Sequence, residues 1–408
     1  MSTPAYSAAL AVLSETVDVD LHDALEVALV PLRGRDPVAY LVDFGHRWLI
    51  PLPVAKGAMV PVDEDIATTM AGRAFIERQP VVAERDGEFR VWVPLLEGTR
   101  RSGVLAVTVP EADLETLADL EMLGVFAGMT LAATAPFSDV AHLRRRGRTM
   151  SLAATMQWGL MPPLSASTSR AVIAGVLEPA YDIGGDGFDY AINGDDVDFA
   201  VLDGMGHGVA SSMLTGLAIG AYRHARREHA SIPVIHAAIE AAIDGQYRGE
   251  AFATGIVGRL STTTGELEWS CAGHPPPLLL RDRKVVAELD YEPALPFGLG
   301  DPPGAMGRHS LEPGDTVLLY TDGVVEARTP DGAEFGLERL RDLLERESAS
   351  GREGEELLRR LVRAVLDYQV SELRDDATLM LLQWVGPDLL LNSIVPDQRP
   401  SAMSEPAG

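Results

Sequence analysis

Residues 188–214 read FDYAINGDDVDFAVLDGMGHGVASSML, and this stretch decides the architecture of the C-terminal half of the chain. Asn193-Gly194 is a two-residue hairpin signal set between two runs rich in apolar and aromatic residues. The second run, FAVLD, is apolar enough for a central strand and ends on Asp203. A glycine-rich turn, Gly204 to Gly208, follows. Residues 209–227 then read as a helix whose small side chains (Ala210, Ser211, Ser212, Gly216, Ala218) suit close packing on a sheet. A tight hairpin followed by a helix that lies back on the sheet predicts an α+β sandwich of mostly antiparallel sheets, not a strict βαβ alternation.

Working outward, further strands are expected at 254–260, 266–271, 278–281, 316–320 and 378–384, and further helices at 233–244, 337–345 and 353–369. The first 137 residues form a separate block. Strands are expected at 38–44, 48–52, 89–95 and 104–109, and a helix at 112–133. Between the blocks, residues 138–164 carry Arg144, Arg145, Arg146 and Arg148. Val140, Leu143, Met150, Ala153, Met156 and Leu160 fall near heptad spacing there. This linker reads equally as a solvated interdomain helix or as a signalling helix that pairs in a homodimer. Pro162-Pro163 ends it. The expected organisation is therefore 1–137, linker 138–164, C-terminal block 165–386, and a tail without order at 387–408.

Composition narrows the function classes. The 408 residues include 60 Asp+Glu and 34 Lys+Arg, a formal charge of −26. That excess disfavours nucleic acid and an anionic membrane surface as partners. The single cysteine, Cys271, rules out an internal disulfide framework and a cysteine-rich metal site. The longest mostly apolar stretch, about 122–137, is shorter than a membrane helix needs, and a cytoplasmic protein is expected.

Four acid-bearing turns stand out: Gly184-Gly185-Asp186, Asp203-Gly204, Thr321-Asp322-Gly323 and Arg374-Asp375-Asp376. Asp203 and Asp322 follow apolar strands, and the Asp375 pair opens one. Any one of them alone is more often a turn residue than a ligand. Several converging would make an oxygen cage that selects Mg²⁺ or Mn²⁺ over Zn²⁺. Their spacing fails the EF-hand register, and the Gly204–Gly208 turn lacks the ending of a phosphate-binding loop.

In order, the blocks YDIGGDGFDY, FAVLDGMGHGVASSML, FATGIVGRL, CAGHPPPLLL, LEPGDTVLLYTDGVVEA, FGLERL and RDDATLMLL resemble the bacterial branch of the metal-dependent PPM phosphatases, the stage II sporulation protein E and RsbU-like group. The resemblance covers about residues 150–385, and LAATMQWGLMPPL at 152–164 looks like the helix leading into that domain. It implies an α-β-β-α sandwich. It also implies serine/threonine protein phosphatase activity with two Mn²⁺ or Mg²⁺ ions, on a phosphorylated STAS-type anti-sigma-factor antagonist. Asp203 matches the acid bridging the metals and Gly204 the residue giving a backbone carbonyl. Asp186 matches the first-motif acid acting near the metals, and Asp322 a direct ligand. Asp375 best matches the C-terminal ligand, with Asp376 beside it as the alternative by one residue. Met205 stands where some relatives carry a histidine, so His207 and His274 are the candidates for protonating the leaving group, each against a plainer role in its turn. The first 137 residues look like a small GAF-like or PAS-like sensory domain; His22, His46 and Trp48 are more often core or surface residues than ligands. A degenerate phosphatase that only binds phosphoprotein is the competing reading.

Overall fold

A computed structural model describes residues 21–387 except 54–60, 99, 137, 148, 179–180, 182–183, 290–292, 301–303, 352–353 and 370–375. Residues 388–408 of the tail expected at 387–408, Arg148 and Asp375 lie outside the described residues. The chain divides into two compact units, one running to Trp158 and including Glu178–Ile183, the other comprising Gly159–Leu177 and Gly184 onward.

The first unit contains α1 (Leu21–Leu29), β1 (Arg35–Val42), β2 (Trp48–Pro51), β3 (Glu64–Asp65), α2 (Met70–Glu77), β4 (Val81–Arg85), β5 (Glu88–Glu97), β6 (Arg100–Val109), α3 (Leu114–Thr134), α4 (Val140–Arg144) and α5 (Leu152–Leu160). Its strands form one antiparallel sheet in the order β3-β2-β1-β6-β5-β4. Side-chain alternation sends Ala39, Leu41, Leu105 and Val107 to a core shared with α1 and α3. Val38, Tyr40, Val104 and Ala106 go to the opposite core, where α2 packs. The sheet is thus buried on both faces. Helix α3 is longer than the apolar stretch marked in the sequence: its 21 residues have the length and hydropathy of a membrane span. Leu120, Leu123 and Ala127 of this helix nevertheless belong to the core of the unit.

The linker is two short helices instead of one. Arg145 turns inward, donating to the Val42 carbonyl at 2.8 Å with its guanidinium 4.6 Å from the Phe44 ring centre. Burial lowers its pKa to about 10. The Ser151 hydroxyl then accepts from the Ala154 amide at 3.0 Å, the arrangement of a helix start. A heptad seam continuous across 140–160 does not form.

The second unit contains β7 (Ser165–Ser167), β8 (Ala171–Glu178), β9 (Asp186–Asn193), β10 (Asp196–Gly204), α6 (Val209–Arg227), α7 (Ile232–Tyr247), β11 (Ala253–Ser261), β12 (Glu266–Ala272), β13 (Leu278–Arg281), β14 (Lys284–Glu288), β15 (Gly307–Ser310), β16 (Thr316–Tyr320), α8 (Asp322–Val325), α9 (Leu337–Ala349), α10 (Gly354–Gln369) and β17 (Ala377–Trp384). Two sheets form, β15-β12-β11-β10-β9 and β14-β13-β16-β17-β8-β7. Helices α6 and α7 cover the first through Leu214, Ala218, Ile235 and Ile239. Helices α9 and α10 cover the second through Leu340, Leu344, Leu358 and Leu361. Between the sheets, the fully buried Phe188 of β9 lies on Gly175 of β8, where a Cβ would come within 2.3 Å of the ring. The expected antiparallel sandwich with helices outside is present.

Candidate functional site

The hairpin read from Asn193-Gly194 fixes a register in which Asp203 stands directly opposite Asp186 on β9 and opposite Thr254 on β11. Residues directly opposite in an antiparallel pair project to the same face, with Cβ atoms about 5 Å apart. Two carboxylates so placed repel. Asp186 is also buried, at 2% exposure. Burial first, then the charges of Asp203 and Asp376, raise its pKa well above the ordinary carboxylate range.

The second sheet meets this pair at the same rim. Thr321, at the end of β16, donates its hydroxyl to Asp186 Oδ2 at 2.6 Å and accepts from the Thr378 amide at 2.9 Å. Asp376, just before β17, turns its Oδ2 to the backbone amides of Gly184, Gly185 and Asp186 at 2.7, 2.6 and 3.2 Å. The Gly-Gly of the first acidic turn thus presents its amides to the C-terminal acid. Gly323 completes the junction, since a Cβ there would stand 1.9 Å from the Asp376 carbonyl oxygen. Gly323→Ala is expected to cost about 2 kcal/mol or more in urea unfolding, because the blocking atom is backbone; an unchanged midpoint would refute that fit.

Helix α6 supports the glycines from the other side. Ser211 Oγ donates to the Gly204 carbonyl at 2.6 Å and Ser212 Oγ to the Gly184 carbonyl at 2.8 Å. Thr215 Oγ1 donates to the Gly185 carbonyl. All three hydroxyl residues are buried. The sequence marks Ser211 and Ser212 only as small; their hydroxyls in fact hold the turn that carries the acids. A Ser-Ser pair with a Thr one turn on, just after a glycine-rich acidic turn, was the available signal.

The remaining expected residues are dispersed. Asp322 opens α8 and is exposed; His207 is an exposed loop residue whose backbone packs on Gly184. His274 is buried, its Nδ1 3.2 Å from Thr254 Oγ1, and burial lowers its pKa to about 4. It is therefore neutral near pH 7 and holds no proton in reserve for a leaving group. Cys271 is buried and donates its thiol to the His274 carbonyl at 3.2 Å.

Among the described residues, no three His, Cys, Asp or Glu side chains already form a metal-binding group. The donor chemistry nevertheless fits a hard cation. Asp186, Asp203, the Gly204 carbonyl and Asp322 offer only oxygen. The buried Asp186 lies in the field of two further carboxylates, and a divalent cation would offset that field.

Comparison with known proteins is consistent with this geometry. Residues 193–385 match the family model described as stage II sporulation protein E (SpoIIE). The match contains Asp203, Gly204, His207, Asp322 and Asp375 and begins after Asp186. Phosphoserine phosphatase RsbU of Bacillus subtilis is 22% identical over 238 residues, which cover 57% of this chain and 69% of the relative. Among solved structures, the RsbU and RsbW domains of Rv1364c from Mycobacterium tuberculosis are 28% identical with a TM-score of 0.46. That match covers 55% of this chain and 63% of the mycobacterial one. The SiaA-PP2C domain of Pseudomonas aeruginosa is 23% identical with a TM-score of 0.48, covering 57% of this chain and 93% of its own.

Proposed function

We propose that the protein is a PPM-type phosphatase that hydrolyses phosphoserine or phosphothreonine on a signalling protein, a STAS-type anti-sigma-factor antagonist; the match of residues 193–385 to the stage II sporulation protein E family model supports this reading. The observation that carries the reading is the registered pair of buried Asp186 and half-buried Asp203, at a rim to which the second sheet brings Thr321 and Asp376. Asp186, Asp203, the Gly204 carbonyl, Asp322 and Asp375 would hold Mn²⁺ or Mg²⁺, two ions per site. Bound there, the cations supply positive charge for the phosphoryl oxygens and acidify an attacking water.

The chain's own residues do the rest. A phosphoserine dianion would be repelled by Asp186 and Asp203 alone, so these acids serve by gathering cations and not by touching substrate. The Thr321 hydroxyl and the Asp376–amide clamp fix Asp186 before substrate arrives, which removes reorganisation from the reaction. His207, exposed on the loop between Asp203 and α6, would give a proton to the departing serine oxygen. Residues 1–137 act as a GAF-like regulatory domain.

The test is hydrolysis of p-nitrophenyl phosphate and of a phosphoserine peptide with Mn²⁺, with Mg²⁺ and with EDTA. Turnover is expected only with a divalent cation, and His207→Ala is expected to slow the peptide more than the nitrophenyl ester, whose leaving group needs no proton. No turnover with either cation would leave a phosphoprotein-binding module in place of an enzyme.

A further inference from the structure

The chain leaves the second unit after Leu177, passes through the first as Glu178–Ile183 and returns at Gly184. Tyr181 in this passage stands five residues before Asp186 and three before Gly184. Three residues of the first unit hold it. The Gly147 amide donates to its hydroxyl at 2.9 Å, and the hydroxyl donates on to Asp43 Oδ2 at 3.4 Å. The Ser151 amide donates to its carbonyl at 2.9 Å. Tyr181 is 8% exposed and Asp43 4%. Asp43 is itself fixed: its Oδ1 accepts from the Arg47 and Trp48 amides, each at 2.7 Å, and so closes the loop between β1 and β2. A Cβ on Gly45 in that loop would stand 3.3 Å from Asp43 Oδ2 and 3.7 Å from Glu178 Oε1. Two carboxylates thus flank one glycine, and the Tyr181 hydroxyl supplies a donor to one of them. Burial foremost, opposed by the Gly147 amide and reinforced by the Asp43 charge, pushes that hydroxyl up to about 12, so it keeps its proton near pH 7.

The acidic turn is held on its far side by Asp376, which accepts its three amides, and by Ser212, which donates to the Gly184 carbonyl. Its near side is the passage that Tyr181 anchors. Three residues of chain span at most about 10 Å. With Tyr181 bonded at both hydroxyl and carbonyl, Gly184 cannot move beyond that reach of the anchor, and its amide is the first of the three that Asp376 accepts. We infer that Tyr181 is a positioning residue for the Asp186 turn: Asp43, Gly147 and Ser151 hold Tyr181, and Tyr181 holds the entry to the turn, so the first unit bears on the acids through this side chain. The consequence for a bound cation rests on the cation site proposed above; the anchoring of the turn does not.

Amide hydrogen exchange of the full chain in EDTA tests the anchoring. In Tyr181→Phe the Gly184, Gly185 and Asp186 amides are expected to exchange about tenfold faster than in the wild type, while those of β13 and β16 keep their rates. Gly147→Ala would set a Cβ 3.1 Å from the Tyr181 hydroxyl. It is expected to speed the same three amides, and to add nothing in the Tyr181→Phe background, where that hydroxyl is gone. Unchanged rates at the three amides overturn the inference, as does full additivity of the two substitutions. Equal acceleration in β13 and β16 also overturns it, since Tyr181 would then serve general stability alone. Mn²⁺ gives a second readout. Titration calorimetry is expected to show about fivefold weaker binding by Tyr181→Phe, and by reciprocity Mn²⁺ should slow exchange of the Ser151 amide in the wild type but not in the variant. Equal affinity in the two proteins overturns the inference. A wild type that binds no Mn²⁺ refutes the cation site instead, and the exchange rates in EDTA still decide the anchor.

Discussion

Asp203→Asn is expected to abolish most phosphate-ester hydrolysis while making the metal-free protein more stable. The activity loss follows from the charge of the donor set. Asparagine keeps the size of the side chain and removes the anion, and forfeiting roughly 4 kcal/mol of cation-borne stabilisation slows turnover about a thousandfold. The stability gain follows from the register. Asp203 faces Asp186 directly, and its charge is among the causes that raise the Asp186 pKa. Removing one of two opposed carboxylates relieves about 1 kcal/mol, a rise in melting temperature of about 2–4 °C for a unit of this size.

The pH dependence has a definite sign. Asp186 binds its proton more tightly in the folded state than in the unfolded one, because burial and its neighbours disfavour the anion. Its contribution to stability is therefore fully present below the ordinary aspartate range. That contribution is lost as pH rises toward and through the raised value. Calorimetry in EDTA across a pH series should show the wild type losing stability with rising pH and Asp203→Asn losing less. Added Mn²⁺ should restore the wild type most at high pH. A variant that keeps its turnover, or melts below wild type in EDTA, would defeat the assignment of Asp203.

Asp376→Ala is expected to destabilise the protein by about 3–5 kcal/mol, read as a shift of the urea midpoint. One Asp376 oxygen accepts from three consecutive amides. Each buried N–H left without an acceptor costs about 1–3 kcal/mol, partly offset by removing a charge that disfavours the Asp186 anion. Asp376→Asn keeps an oxygen for the amides and should cost far less. Mn²⁺ affinity measured by titration calorimetry separates positioning from ligation. If Asp376 positions the first acidic turn, Asp376→Asn binds Mn²⁺ nearly as wild type does; a large loss of affinity in a well-folded variant would make Asp376 a ligand.

The central strands and the Asp203 turn were legible because their signals are local. The Asn193-Gly194 hairpin and the apolar runs ending in Asp203 and Thr321 each lie within a dozen residues, and 278–281 and 316–320 coincide with β13 and β16. The edge strands β7, β14 and β15 escaped because they are short and largely polar, and β8 because Gly175 interrupts its apolar run. The continuous linker helix failed because heptad spacing alone does not reveal that Arg145 bonds back to the end of β1. At the site, residue types singled out candidate acids but not which acid holds which turn. The tie between Asp376 and Gly184 spans 192 residues, and no local pattern encodes it.

That same span has a consequence for the timing of biosynthesis. A chain emerging from the ribosome exposes the Gly184 turn long before Asp376 has been made. Until β17 closes the second sheet, the three amides have no acceptor from that acid and Thr321 lacks the Thr378 amide that helps hold its hydroxyl on Asp186. Loop closure over such a separation comes late in folding. A nascent or prematurely ended chain would therefore carry most of the acids without the geometry of the complete site, and under the proposed function such incomplete copies would be inactive.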